Sequence, residues 1–105
     1  MSEIWLIRST FGNIDEAIST ARSLLENKLV ACANIDQNMT ALFRWEGLIQ
    51  QESEIVLLTK TTPERVASAM THIKSLHSYQ IPSILAWPTG ASNAEFAEWV
   101  AAEVA

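Results

Sequence analysis

The order of hydrophobic patterns along the chain predicts an α+β fold. It is a ferredoxin-like β-α-β-β-α-β sandwich with an additional C-terminal helix and a long β2-β3 hairpin. Three observations carry this. Ile4-Trp5-Leu6-Ile7 and Ile55-Val56-Leu57-Leu58 are continuously apolar, as expected of two central strands covered on both faces. Two intervening stretches carry apolar residues at helical spacing. Between them, Asn34 to Thr62 reads as two extended arms meeting at Trp45-Glu46-Gly47.

In chain order, the first strand is expected from Glu3 to Thr10, broken by Phe11-Gly12. A helix follows from Asn13 to Lys28. Asn13 can cap it, with Glu16 in a capping-box position. Its apolar stripe is Ile14, Ala17, Ile18, Ala21, Leu24 and Leu25. Leu29 to Ile35 begins the outgoing arm, and Leu48 to Thr61 is the return. Gly47 suits the left-handed residue of a type I turn with a bulge; a two-residue I′ turn would force Glu46 to positive φ. Thr62-Pro63-Glu64 opens a second helix, with Thr62 as cap and Pro63 at its first position. Val66, Ala69, Met70, Ile73, Leu76 and His77 share its inner face, and His72 points away. Ser78 to Ser83 is a loop, Ile84 to Trp87 a short strand, and Ser92 to Ala105 a final helix with Ser92 and Glu95 as capping box.

Right-handed crossovers put both main helices on one face of the sheet. The other face is also apolar, so a second copy of the chain is its simplest cover. The hairpin arms raise the same issue. About 14 residues per arm at roughly 3.3 Å each span about 46 Å, against a diameter of about 35 Å for a compact chain of this size. Either the hairpin bends at Asp36-Gln37-Asn38, or its tip, with Leu42, Phe43, Trp45, Leu48 and Ile49, projects and takes part in self-association.

Composition bounds the function. The 105 residues suit one domain, residues 1–105, and 49% apolar content excludes disorder. Net charge is −5 with dispersed basic residues, which argues against nucleic acid or an anionic membrane as partner. No apolar run is long enough to span a bilayer, and the N-terminal MSEIWLIRST lacks the pattern of a signal peptide. A single cysteine, Cys32, cannot form an internal disulfide, and a cytoplasmic location is expected.

Few residues offer chemistry. Cys32, within Val30-Ala31-Cys32-Ala33, reads as a small buried core residue with an inert thiol, with a metal-ligand or redox role as the alternative. His72 reads as solvated. His77 reads as a helix C-terminal cap, with a ligand or hydrogen-bonding role as the alternative. Glu52 and Glu54 share a strand face; they read as exposed edge charges, or as hard-oxygen ligands for a cation. Arg44 and Lys60 are the basic residues best placed to face a cleft; they read as a solvated or ion-paired face, with anion binding as the alternative. No nucleophile–base pair or phosphate-binding loop is present, so no enzyme is expected.

Several stretches together resemble the CutA divalent-cation tolerance family. They are Val30-Ala31-Cys32-Ala33-Asn34-Ile35, Phe43-Arg44-Trp45-Glu46-Gly47, Glu54 to Thr61, His77-Ser78-Tyr79-Gln80-Ile81-Pro82, and the closing Phe96 to Val100. The resemblance implies a ferredoxin-like subunit of a cytoplasmic homotrimer similar in architecture to PII signalling proteins. It also implies a non-enzymatic link to copper or another divalent cation, with His77 at the metal position. An alternative implied function is a PII-like sensor, binding a small anionic metabolite near Arg44, Trp45, Lys60 and Tyr79 between subunits. The family loop reads His-Pro-Tyr-Glu, whereas this chain has Ser78 and Gln80, and Arg8-Ser9-Thr10 lacks the thiol some members carry. The loop therefore offers no carboxylate beside His77.

Overall fold

The two continuously apolar runs form adjacent central strands. In the computed structural model, which describes residues 3–105, the elements are β1 (Trp5–Phe11), α1 (Ile14–Glu26), β2 (Cys32–Trp45), β3 (Leu48–Thr61), a 3-10 turn (Pro63–Arg65) leading into α2 (Val66–Leu76), β4 (Ile84–Pro88) and α3 (Ala94–Glu103). The sheet order is β2-β3-β1-β4, with every neighbouring pair antiparallel. β1 pairs with β3 from Trp5↔Thr61 to Phe11↔Ile55.

One face of the sheet packs on α1 and α2. Ile7, Phe11 and Leu57 meet Ala17, Ala21, Leu24, Ala69 and Ile73 in a buried cluster. The small alanines let the helices approach closely while Leu24 and Ile73 supply the volume. The stripe on α1 is rotated slightly from expectation: Thr20 is buried, while Ile18 and Leu25 are exposed. Leu76, expected on the inner face of α2, is also exposed. α3 builds a second cluster from Ala97, Val100 and Val104 around Ile4 and Ala31. Alternation leaves Leu6, Arg8, Val56 and Leu58 half-buried on the other sheet face, beside the exposed Leu85 and Trp87 of β4.

The hairpin both kinks and projects. Register shifts between Asp36 and Met39, where Asn38 takes φ 65°, so the expected polar break is a β-bulge. Beyond it the arms continue to the tip, and the described residues measure 46 × 26 × 22 Å. Leu42, Leu48 and Ile49 are 66%, 64% and 71% exposed.

Four local expectations are corrected. Trp45 pairs with Leu48 across Glu46 (φ 49°) and Gly47 (φ 81°), which is the two-residue turn with two positive φ angles, not a type I turn with a bulge. The twist of that turn matches the twist of long strands, and in-register pairing offsets the strain at Glu46. Neither Thr62 nor a residue before α3 makes a side-chain cap bond, so Ser92 and Glu95 form no capping box. Asn13 does cap α1, accepting from the Glu16 amide at 2.8 Å, but the Glu16 carboxylate does not reach back to close the box.

Candidate functional site

α2 ends because His77 leaves the helical region, at φ −78° and ψ 136°. The turn swings its imidazole inward, fully buried, to stack on Phe11 with ring centroids 4.3 Å apart. Its Nε2 lies 2.8 Å from the Thr10 carbonyl oxygen, and its Nδ1 lies 3.1 Å from the Tyr79 amide nitrogen. A carbonyl only accepts and an amide N–H only donates. The partners therefore define the neutral tautomer with its hydrogen on Nε2 and a lone pair on Nδ1.

Glu16, on the first turn of α1, holds the same loop. Its two carboxylate oxygens accept from the Ser78 amide (2.9 Å) and hydroxyl (2.8 Å), and Oε1 lies 3.8 Å from His77 Nδ1. The carboxylate absent from the loop sequence is thus supplied beside His77 by another element. The signal for it, an acidic residue at the third helical position, was equally that of a capping box.

Tyr79 follows. Its ring lies against Gly12, where a Cβ would stand 3.4 Å from the hydroxyl oxygen. The hydroxyl donates to Glu54 Oε2 at 2.6 Å. Glu54 is only 7% exposed, so its reading as a solvated edge charge is corrected. β1 ends at Phe11, opposite Ile55, and Tyr79 covers the next position along β3. Burial, then the hydrogen bond and charge of Glu54, then the charges of Glu52 and Glu16, hold the Tyr79 phenol well above its usual range.

The other expected site residues are dispersed. Arg44 and Trp45 pair with Ile49 and Leu48 at the tip, whereas Lys60 pairs with Cys32 and Leu6 at the opposite end of β3. From Ile49 to Lys60 is about 36 Å along the strand at roughly 3.3 Å per residue. Lys60 Nζ donates to Asn34 Oδ1 at 2.6 Å. Within one chain, Arg44, Trp45, Lys60 and Tyr79 do not form one cleft. Cys32 is half-buried at the start of β2, not sealed in the core. His72 is not freely solvated: its Nε2 lies 2.7 Å from Ser23 Oγ, tying α2 to α1.

For a metal ion, the fit within one chain is incomplete. Among the described residues, no group of three His, Cys, Asp or Glu converges. Both His77 nitrogens are engaged, so coordination there requires one of its two bonds to break. The thiol is about 20 Å along β3 from Glu54, counting from its partner Lys60 at roughly 3.3 Å per residue.

The fold and this loop define a small α+β domain in which an acidic and aromatic polar group gathers around Tyr79. The chain belongs to the CutA family: residues 5–103 match the family described as CutA1 divalent ion tolerance protein. It is 35% identical over 100 residues to the Divalent-cation tolerance protein CutA of Thermus thermophilus, covering 95% of each chain. It is 37% identical over 91 residues to that of Archaeoglobus fulgidus, covering 87% of this chain and 88% of the relative. The crystal structure of the divalent ion tolerance protein CutA1 from Ehrlichia chaffeensis superposes with a TM-score of 0.95 at 35% identity, over 100% of this chain and 98% of that one. CutA from Xylella fastidiosa gives 0.96 at 31%, over 99% and 100%. The names describe tolerance of divalent ions and specify no reaction. One solved A. fulgidus relative is described as periplasmic. No helix among the described residues of this chain is long and apolar enough to cross a membrane.

Proposed function

We propose that the chain is a non-enzymatic subunit of a cytoplasmic homotrimer that serves divalent-cation tolerance and binds copper or another divalent cation weakly. The projecting apolar hairpin tip carries this reading. Leu42, Leu48 and Ile49 stay largely exposed in the single chain. The open sheet face, with Leu6, Leu58, Leu85 and Trp87, is a second uncovered apolar surface. Two different surfaces on one subunit suit a head-to-tail contact, which forms a ring when its rotation closes. Glu16, Glu52 and Glu54 around Tyr79 favour a cation over an anion there. With no complete ligand set in one chain, weak binding, or a set completed by a neighbouring copy, is expected. The PII-like alternative places an anion beside these carboxylates and needs a second copy to bring Arg44 and Trp45 to Tyr79, so it is the less favoured.

Light scattering on the intact protein tests the assembly. A trimer is expected, and Trp45→Asp should shift it towards monomer or aggregate; an unchanged assembly would remove the hairpin tip from the interface. Calorimetric titration with copper(II) tests the cation. Glu54→Gln and His77→Ala should each weaken binding, and equal binding by wild type and both variants would refute the site.

A further inference from the structure

We infer that Arg8 is the charge anchor of the contact between copies of this chain, and that it pairs there with Glu52 on the hairpin of the neighbouring copy. This pair presupposes the assembly proposed above and names the residues that set its register.

The strand registers lay out the open sheet face in rows. Cys32, Lys60, Leu6 and Trp87 form one row; Asn34, Leu58, Arg8 and Leu85 form the next; Asp36, Val56 and Thr10 follow. Arg8 thus stands inside the apolar patch, with Leu58 on one side and Leu85 on the other. It is half-buried before any partner arrives. Among the described residues the one ion pair joins His77 and Glu16, so the Arg8 guanidinium has no carboxylate partner in its own chain. Lys60, the other cation of this face, is already held by the Asn34 side chain.

The charges on the face are graded along the strands. Arg8 and Lys60 lie towards the Trp87 end, whereas Asp36, Glu54 and Glu52 lie towards the hairpin. A face that is basic at one end and acidic at the other complements a second copy of itself. Covering the patch takes the guanidinium out of water, which is costly unless a carboxylate arrives with the cover. Of the carboxylates on this side of the sheet, Glu54 is buried and takes the Tyr79 phenol. Asp36 sits before the bulge, on the body of its own sheet. Glu52 is exposed and lies beyond the bulge, on the arm that projects. It shares the side of β3 that carries Glu54, Val56 and Leu58, so an arm laid over a neighbour brings it down on the open face. The two residues cannot meet within one chain. Arg8 lies opposite Leu58, and from Leu58 to Glu52 is about 20 Å along β3 at roughly 3.3 Å per residue. Arginine suits the role, because its planar fork matches a carboxylate in a site that excludes water.

The experiment measures, by light scattering over a dilution series of the intact protein, the concentration at which the assembly dissociates. Wild type is compared with Arg8→Glu, Glu52→Arg and the variant carrying both. Each single reversal sets like charges against each other and should raise that concentration by roughly tenfold or more. The double variant restores opposite charges and should return to within about threefold of wild type. Arg8→Leu and Glu52→Gln add no new charge and each leave one partner covered and unpaired, so both should weaken the assembly; they carry the test if a reversed variant folds poorly. If Arg8→Glu leaves the assembly unchanged, or Arg8→Leu tightens it, Arg8 meets no carboxylate and the inference is overturned. A double variant as weak as the single ones overturns it equally, because Glu52 is then not the partner. In these cases a wild type that still assembles leaves the proposed trimer standing and removes only the pair. A wild type that stays monomeric at every concentration overturns both.

Discussion

Tyr79→Phe isolates the bond between the Tyr79 phenol and Glu54. The substitution keeps the ring against Gly12, so packing changes little. It removes the hydroxyl that donates at 2.6 Å to a carboxylate only 7% exposed. Hydrogen bonds to charged groups contribute about 1.5–3 kcal/mol, and a buried acceptor left unpaired loses most of that. A loss of about 2 kcal/mol is therefore expected, or a fall in Tm of roughly 8–16 °C for a domain of this size. Glu54→Gln should cost less, because its amide oxygen still accepts from the phenol. In the Glu54→Gln background, Tyr79→Phe should cost only about 1 kcal/mol, the value of a neutral bond. The assay is urea unfolding of all four proteins at one protein concentration, since any assembly couples to stability. If Tyr79→Phe matches wild type within about 0.5 kcal/mol, Glu54 is hydrated in solution and the bond does not order the loop.

Tyr79 is the only tyrosine, so the tyrosinate absorbance reports on it alone. Its folded pKa is raised, so its stabilisation is complete below the unfolded value of about 10 and is lost as pH rises towards the folded one. The tyrosinate band should appear only beyond pH 10 and together with unfolding; a reversible band near pH 10 in the folded protein contradicts this. Glu46→Asn should stabilise by about 1 kcal/mol in urea unfolding, because Asn accepts the φ of 49° found there and Asn-Gly suits the turn; a loss would mean Glu46 has a role beyond the turn. Ser9 Oγ is buried with no partner among the described residues, so Ser9→Ala should be neutral or stabilising by up to about 1 kcal/mol by the same assay. A cost above that would reveal a hidden partner.

Strand order and the central position of β1 and β3 were legible because two-sided burial leaves an unbroken apolar run in the sequence. Hairpin length was legible from counting residues per arm, but the count left a bend or a projecting tip open, and the structure has both. The turn type was not. Glu46 disfavours positive φ locally, and only the register of two long arms overrides it. Within the site, His77 and Tyr79 stood out as residue types, but Glu16 and Glu54 did not. A carboxylate on a helix's first turn or a strand looks the same whether it meets water or a loop. Arg44 and Lys60 were grouped with Tyr79 by resemblance, and the register of β3 sets them at opposite ends of the hairpin.

By itself the sequence determined the family, the α+β topology and the surplus of exposed apolar surface, since each follows from local pattern summed along the chain. The tertiary structure decided the site. His77 meets Thr10, Glu16 and Tyr79 because the end of α2, the end of β1 and the start of α1 converge at one end of the sheet. That convergence fixes the tautomer of one imidazole and buries one carboxylate under one phenol. Both are properties of distances between segments far apart in the chain, which no local pattern encodes.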